Sequence, residues 1–163
     1  MQPPFQIEQA RDPNAIAAVR ELFEEYQHHL GISLDFQGFQ DELRALPGAY
    51  AAPRGLLLLA HADGNLGGCV ALRPWSADEA EIKRLYVRPA WRGSGLGKAL
   101  VEAVIERARR QGYRGLRLDT LASMAPAMRL YERLGFLETA PYHAATLPGM
   151  RFFRKPLGAD APG

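Results

Sequence analysis

Three glycines at alternate positions, Gly93, Gly95 and Gly97, stand inside the run Arg92-Gly93-Ser94-Gly95-Leu96-Gly97-Lys98. Glycine lets a backbone come close to a ligand with no Cβ in the way. A helix that begins in such a run offers free N–H groups and a dipole that favour phosphate oxygens. Arg92 and Lys98 add positive charge on either side. The chemistry available to these residues is to cradle a pyrophosphate. Two familiar phosphate loops do not fit the spacing. A P-loop needs Gly-x-x-x-x-Gly-Lys followed by Ser or Thr, but Arg92 occupies the first glycine position and Ala99 follows Lys98. A dinucleotide fingerprint needs Gly-x-Gly-x-x-Gly near the first strand of a βαβ unit. These glycines run at 93, 95 and 97, past the middle of the chain.

A strand must feed this run and a helix must leave it. Ala80–Val87 predicts the strand, ended at Arg88-Pro89 because proline cannot continue a ladder. Ser94–Gln111 predicts the helix, with Leu96, Leu100, Val104 and Ala108 on one stripe and Gly112 after its end. Upstream, Phe5–Glu8 alternates like a strand, and Asp12-Pro13 opens a helix that Gly31 closes. A short helix is expected over Phe36–Leu46, stopped by Pro47-Gly48. Leu56–Ala60 and Gly68–Leu72 are expected as a hairpin around Asp63-Gly64-Asn65. Downstream come a strand at Leu116–Leu121, a helix at Pro126–Leu134, and a closing hairpin of Phe136–Tyr142 with Phe152–Leu157. Residues 1–163 read as one domain, with Gly158–Gly163 a frayed tail. The element order suggests a mixed sheet covered by helices.

Arg92, Gly95 and Gly97 satisfy Arg-x-x-Gly-x-Gly, which resembles the acetyl-CoA signature of the GNAT N-acetyltransferase superfamily. Ala127-x-x-Leu130-Tyr131-Glu132-x-x-Gly135-Phe136 is similar to the second signature of that family, a helix ending in Gly-Phe. The two occur in the right order, with room between them for one helix, one strand and a loop. The resemblance implies an α/β fold: a mixed, mostly antiparallel central sheet flanked by helices on both faces. It implies acetyl-CoA as cosubstrate and acetyl transfer to a primary amine by direct attack. The amine is left open between a small amine, an amino acid and a peptide or protein amine. Homodimers are common in that family.

By position, the same resemblance assigns the site. Leu85, Tyr86 and Val87 supply backbone to the pantetheine arm, as in strand addition to a sheet edge. The Leu85 N–H is the donor to the thioester oxygen. Arg92, Gly93, Ser94, Gly95, Leu96, Gly97 and Lys98 hold the pyrophosphate. Tyr131 is the general acid. A thiol near 8.5 and a tyrosine near 10 make proton donation only slightly uphill, and the rate should fall at high pH as Tyr131 ionises. Glu81, eleven positions before Arg92, matches the base of the family's histone acetyltransferases. Pairing with Lys83 or Arg84 would account for it equally. Met124 stands where the family often has an asparagine and cannot donate an amide hydrogen bond, so either Ser123 substitutes near the pantetheine or the contact is absent. A sensor or pseudoenzyme that binds acyl-CoA without turnover would need the same cradle. The intact Tyr131 argues against it.

Composition excludes other classes. Twenty basic against eighteen acidic residues leave a net charge of +2, too little to argue for nucleic acid. Arg107, Arg109, Arg110, Arg114 and Arg117 have no aromatic residues interleaved for stacking, and several complement a helix C-terminus. The longest aliphatic run, Leu56–Leu59, is too short for a bilayer, which needs about 20 residues. A single cysteine, Cys69, permits no internal disulfide and suits the reducing cytoplasm. No His/Cys/Asp spacing matches a metal site, so no metal is expected. Glu24, Glu25, His28 and His29 read as a solvated face of the first helix.

Overall fold

The run Leu56–Leu59 is apolar at every position because both faces of its strand are covered. Leu56 and Leu58 belong to the core beneath one pair of helices, and Leu57 and Leu59 to the core beneath another. The computed structural model describes residues 5–31, 38–144 and 147–158. In chain order these form β1 (Phe5–Gln9), α1 (Pro13–Leu30), α2 (Phe39–Ala45), β2 (Leu56–Ala62), β3 (Asn65–Pro74) and β4 (Glu79–Val87). There follow α3 (Leu96–Arg110), β5 (Gly115–Leu121), α4 (Ala125–Arg133), β6 (Leu137–Thr139) and β7 (Met150–Pro156). The strands make one sheet in the order β1-β2-β3-β4-β5-β7-β6. Every neighbouring pair is antiparallel except β4 with β5. The mixed, mostly antiparallel sheet with helices on both faces is therefore as expected. Among the described residues no helix is long and apolar enough to cross a membrane.

Local chemistry sets the boundaries. Asp12 Oδ1 accepts from the Ala15 N–H at 2.8 Å, Pro13 takes the first helical position of α1, and Gly31 ends it in the left-handed region. Asp63 and Gly64 both take positive φ, giving β2 and β3 a two-residue turn whose twist suits a hairpin. Several boundaries differ from expectation, and β3 is longer at both ends, Asn65–Pro74. α3 starts at Leu96, two residues late, because Gly95 at φ 93° is not helical. α2 starts at Phe39, behind Gly38 at φ 69°; residues 36 and 37 lie outside those described. β6 stops at Thr139, and β7 begins earlier than expected, at Met150. Of the expected tail, only Gly158 is among the described residues.

Two features of β4 shape the site. It pairs with β5 only over Glu79–Glu81 against Gly115–Arg117, and beyond that the two strands part. On its other side the register with β3 runs from Ala71↔Lys83 to Cys69↔Tyr86, so β4 carries one extra residue there. The bulge contains Arg84 at φ 61°, a left-handed conformation that costs a non-glycine residue about 1–2 kcal/mol. Glu42 of α2 holds it, accepting from Arg84 Nε at 3.0 Å and from Nη2 at 2.9 Å.

The β3–β4 contact leaves no room at Gly68. A Cβ there would lie 2.5 Å from the Tyr86 carbonyl oxygen and 3.3 Å from Val87 Cα. Backbone cannot yield as a side chain can, so Gly68→Ala is expected to cost roughly 1–3 kcal/mol. At roughly 2–4 °C per kcal/mol for a chain of this size, a melting curve reads that directly. An unchanged melting temperature would show that β3 and β4 can separate.

Candidate active site

The parting of β4 from β5 opens a cavity of about 50 Å³. Lys83 and Leu85 line it from β4, Asp119 from β5, Met124, Ala127 and Tyr131 from α4 and the turn before it, and Tyr26 and Leu30 from α1. Leu85 lies in the bulge, outside the register with β3. Tyr131 is 5% exposed, and its ring packs edge-on against Phe136 with centroids 5.6 Å apart. Burial pushes its hydroxyl well above the usual tyrosine range, with Tyr26 and Asp119 adding to the effect. It therefore stays protonated, as a donor must. Leu85 and Tyr131, assigned from separate motifs, are thus brought to one cavity.

The glycine run sits where β4 ends. A single 3₁₀ turn, Pro89–Trp91, leads into it. Gly93 and Gly95 take φ of 76° and 93° and redirect the chain into α3. Arg92 Nε donates back to the Val87 carbonyl at 3.1 Å, which ties the loop to its strand. Ser94 Oγ donates to the Trp91 carbonyl and accepts from the Leu96 N–H at 3.3 Å. Gly95 has no side chain to cap the helix, and no acidic residue lies in the first turn. The following N–H groups of that turn are the unmet donors of a helix start. Lys98, exposed, stands beside them. Free N–H groups, two cations and no competing carboxylate are what a pyrophosphate requires, so these residues fit the group.

Tyr86 and Val87 divide between the two faces. Tyr86 is buried against α1, and its hydroxyl donates to Glu25 Oε1 at 3.3 Å. Val87 packs toward the α3 core. Ser123 is exposed in the turn before α4 and does not line the cavity; Met124, beside it, does. Glu24, Glu25, His28 and His29 border a separate open depression with Gln40 and Tyr86. The helix α1 reaches the cavity through Tyr26 and Leu30 instead.

Glu81 is 1% exposed and does not line the cavity. Its partner is neither Lys83 nor Arg84. Arg73, opposite it on β3, donates to Oε1 from Nε at 2.9 Å and from Nη2 at 2.8 Å. Tyr142 Oη donates to Oε2 at 2.7 Å. This pair opens onto a polar cluster that the sequence did not reveal. Glu81, Asp119 and His143 bring ligating atoms within 4.8 Å of one another. His143 Nε2 lies 2.7 Å from Asp119 Oδ2 and its Nδ1 2.9 Å from the Ala144 carbonyl. Arg73, Lys83 and the Tyr142 hydroxyl answer the carboxylates, which suits ion pairing better than a metal. Asp119 had a faint signal: Arg117 and Asp119 alternate with Leu116 and Leu118 along β5. His143 had none, because it lies in a loop.

The comparisons with known proteins agree with this geometry. The Acetyltransferase (GNAT) family matches residues 16–136. An uncharacterized N-acetyltransferase of Schizosaccharomyces pombe is 38% identical over 144 residues, covering 87% of this chain and 88% of its own length. Among solved structures, a GNAT acetyltransferase of Staphylococcus aureus superposes with a TM-score of 0.78 at 22% identity, over 94% of this chain and 99% of its own. The yncA protein of Salmonella typhimurium, solved with its cofactor acetyl-CoA, has a TM-score of 0.70 at 23% identity, over 98% and 97%. The chain belongs to the GNAT acetyltransferase family and is an enzyme of that class, an acetyl-CoA-dependent N-acyltransferase.

Proposed function

We propose that the protein transfers the acetyl group of acetyl-CoA to a primary amine by direct attack. One observation carries the reading: a free strand edge leads from the Leu85–Tyr131 cavity to an uncapped helix start flanked by Arg92 and Lys98. Acetyl-CoA supplies an activated acyl group on a thiol leaving group. Beyond Glu81, β4 offers the pantetheine arm an edge that β5 has left. Leu85 N–H donates to the thioester oxygen as charge builds there. The amine nitrogen forms its bond to the carbonyl carbon, the carbon–sulfur bond breaks, and Tyr131 gives its proton to sulfur. The amine's own proton passes to Asp119, on to His143 Nε2 at 2.7 Å, and from that partly exposed ring to water, with Glu81 beside the pair. Glu81 then acts through its neighbours and not by touching the amine. Ser123 contributes, at most, from the rim. The lone Cys69, unpaired and buried, supports action in a reducing compartment such as the cytoplasm.

Acetyl-CoA and CoA are expected to raise the melting temperature, and NAD and ATP at equal concentration to raise it much less. At 100 times its Kd a ligand adds about 2.7 kcal/mol, or roughly 5–10 °C for a chain of this size. A differential scanning measurement checks it. No shift at saturating acetyl-CoA would remove the cofactor assignment.

A further inference from the structure

Lys83 is a cation of the cavity wall to which no described residue is hydrogen-bonded. Its side chain is 7% exposed, and it lines the cavity between Leu85 and Asp119. Among the described residues its Nζ makes one ionic contact, 3.9 Å from Asp119 Oδ2. That is beyond hydrogen-bond reach, and the same oxygen is already 2.7 Å from His143 Nε2. Its three N–H donors therefore have no acceptor among the described residues. Arg84, the neighbouring cation on the cavity wall, differs because Glu42 grips it at two points. Burial pulls the Lys83 ammonium down, against the pull of Asp119 and Glu81. Its Nζ faces the cavity with no hydrogen bond to a described residue, and an anion brought into that low-dielectric space would pair with it.

We infer that Lys83 anchors a carboxylate carried by the acceptor, so that the acceptor is a small amino acid. The inference rests on the acetyl-transfer reading above. Covalent geometry sets an α-amino nitrogen about 3 Å from its own carboxylate oxygens, close to the 3.9 Å between Lys83 Nζ and Asp119 Oδ2. A zwitterion laid across the two places its carboxylate on Lys83 and its ammonium on Asp119, with opposite charges facing at both ends. Once its proton has passed toward Asp119, the nitrogen stands beside Leu85, where the acetyl carbonyl is held. The carbon–nitrogen bond forms, the carbon–sulfur bond breaks, Tyr131 gives its proton to sulfur, and the second proton shed by the nitrogen replaces it on Tyr131. A peptide N-terminus or a lysine side chain within a protein brings no carboxylate to this distance and leaves Lys83 unmet.

The test compares the standard amino acids, each beside its decarboxylated amine, such as alanine with ethylamine and phenylalanine with phenethylamine. Thiol release from acetyl-CoA is the readout. At least one amino acid is expected to exceed its amine in kcat/KM by about 10²-fold or more. In Lys83→Met that ratio is expected to fall to near one, while acetyl-CoA still raises the melting temperature. Amines that react as well as their amino acids would overturn the proposal. So would the failure of every amino acid in a protein that acetyl-CoA stabilises, or an undiminished preference in folded Lys83→Met. The wild-type ratio decides even if Lys83→Met does not fold. Failure of acetyl-CoA to shift the melting temperature would instead remove the acetyl-transfer reading.

Discussion

Tyr131→Phe is expected to lower turnover by about 10²-fold or more, with acetyl-CoA affinity and folding little changed. The substitution keeps the ring that packs on Phe136 and Phe153 and removes only the hydroxyl. Tyr131 lines the cavity, and the proposed reaction uses its hydroxyl as the donor to sulfur. Its burial alters the pH dependence that an ordinary tyrosine would give. Because burial pushes the hydroxyl up, Tyr131 stays protonated through and beyond the usual tyrosine range. The alkaline fall in rate therefore moves above the value that the sequence alone suggests. A higher value also makes the proton harder to give. The leaving thiolate, however, is desolvated in the same cavity and is raised with it. The measurement is kcat against pH for both proteins. Full turnover by Tyr131→Phe across the profile would make Tyr131 a packing residue.

Gly95→Val is expected to weaken acetyl-CoA binding by about 10²-fold or more, since each lost hydrogen bond to a charged group is worth roughly 1.5–3 kcal/mol. The obstacle is conformational. A Cβ at Gly95 would meet only Phe5 Cε2, at 3.9 Å, but φ there is 93°. A β-branched residue is an outlier at positive φ. The run would relax and carry the first N–H groups of α3 away from the phosphates. The loop is exposed, so the fold should survive. Calorimetric titration with acetyl-CoA and a melting curve together test this. An unchanged Kd in a folded variant would show that the run is only a turn.

The places of these two residues, on the cavity wall and before α3, were legible because each sits in a short motif whose spacing carries its meaning. The elements were legible for a similar reason. Asp12, Gly31 and the Asp63-Gly64 turn are local instructions, and local instructions can be read in order along the chain. What could not be read lies across the sheet. Arg73 meets Glu81 only because β3 and β4 pair in a particular register. Asp119 meets His143 across 24 residues, through a loop with no pattern. The value of Lys83 lies in what fails to reach it, and no sequence window displays a missing partner. The late start of α3 was legible in principle, since Gly95 already suited a left-handed residue. Counting Ser94 as the first helical residue overlooked it.

The position of β7 ties the whole site to the order of synthesis. β7 comes last in the chain among the described strands, yet it lies between β5 and β6 and pairs with β5 along its full length. Until Met150–Pro156 emerges, β5 keeps a raw edge, and within the sheet the strand that bears Asp119 is held only by its three-residue pairing with β4. Such an edge invites pairing with other chains. A growing or truncated chain can thus complete α3 and its phosphate loop, yet it has no settled wall opposite Lys83. In the proposed site, the half that takes the cofactor is encoded ahead of this late strand, and the half that takes the acceptor waits on it.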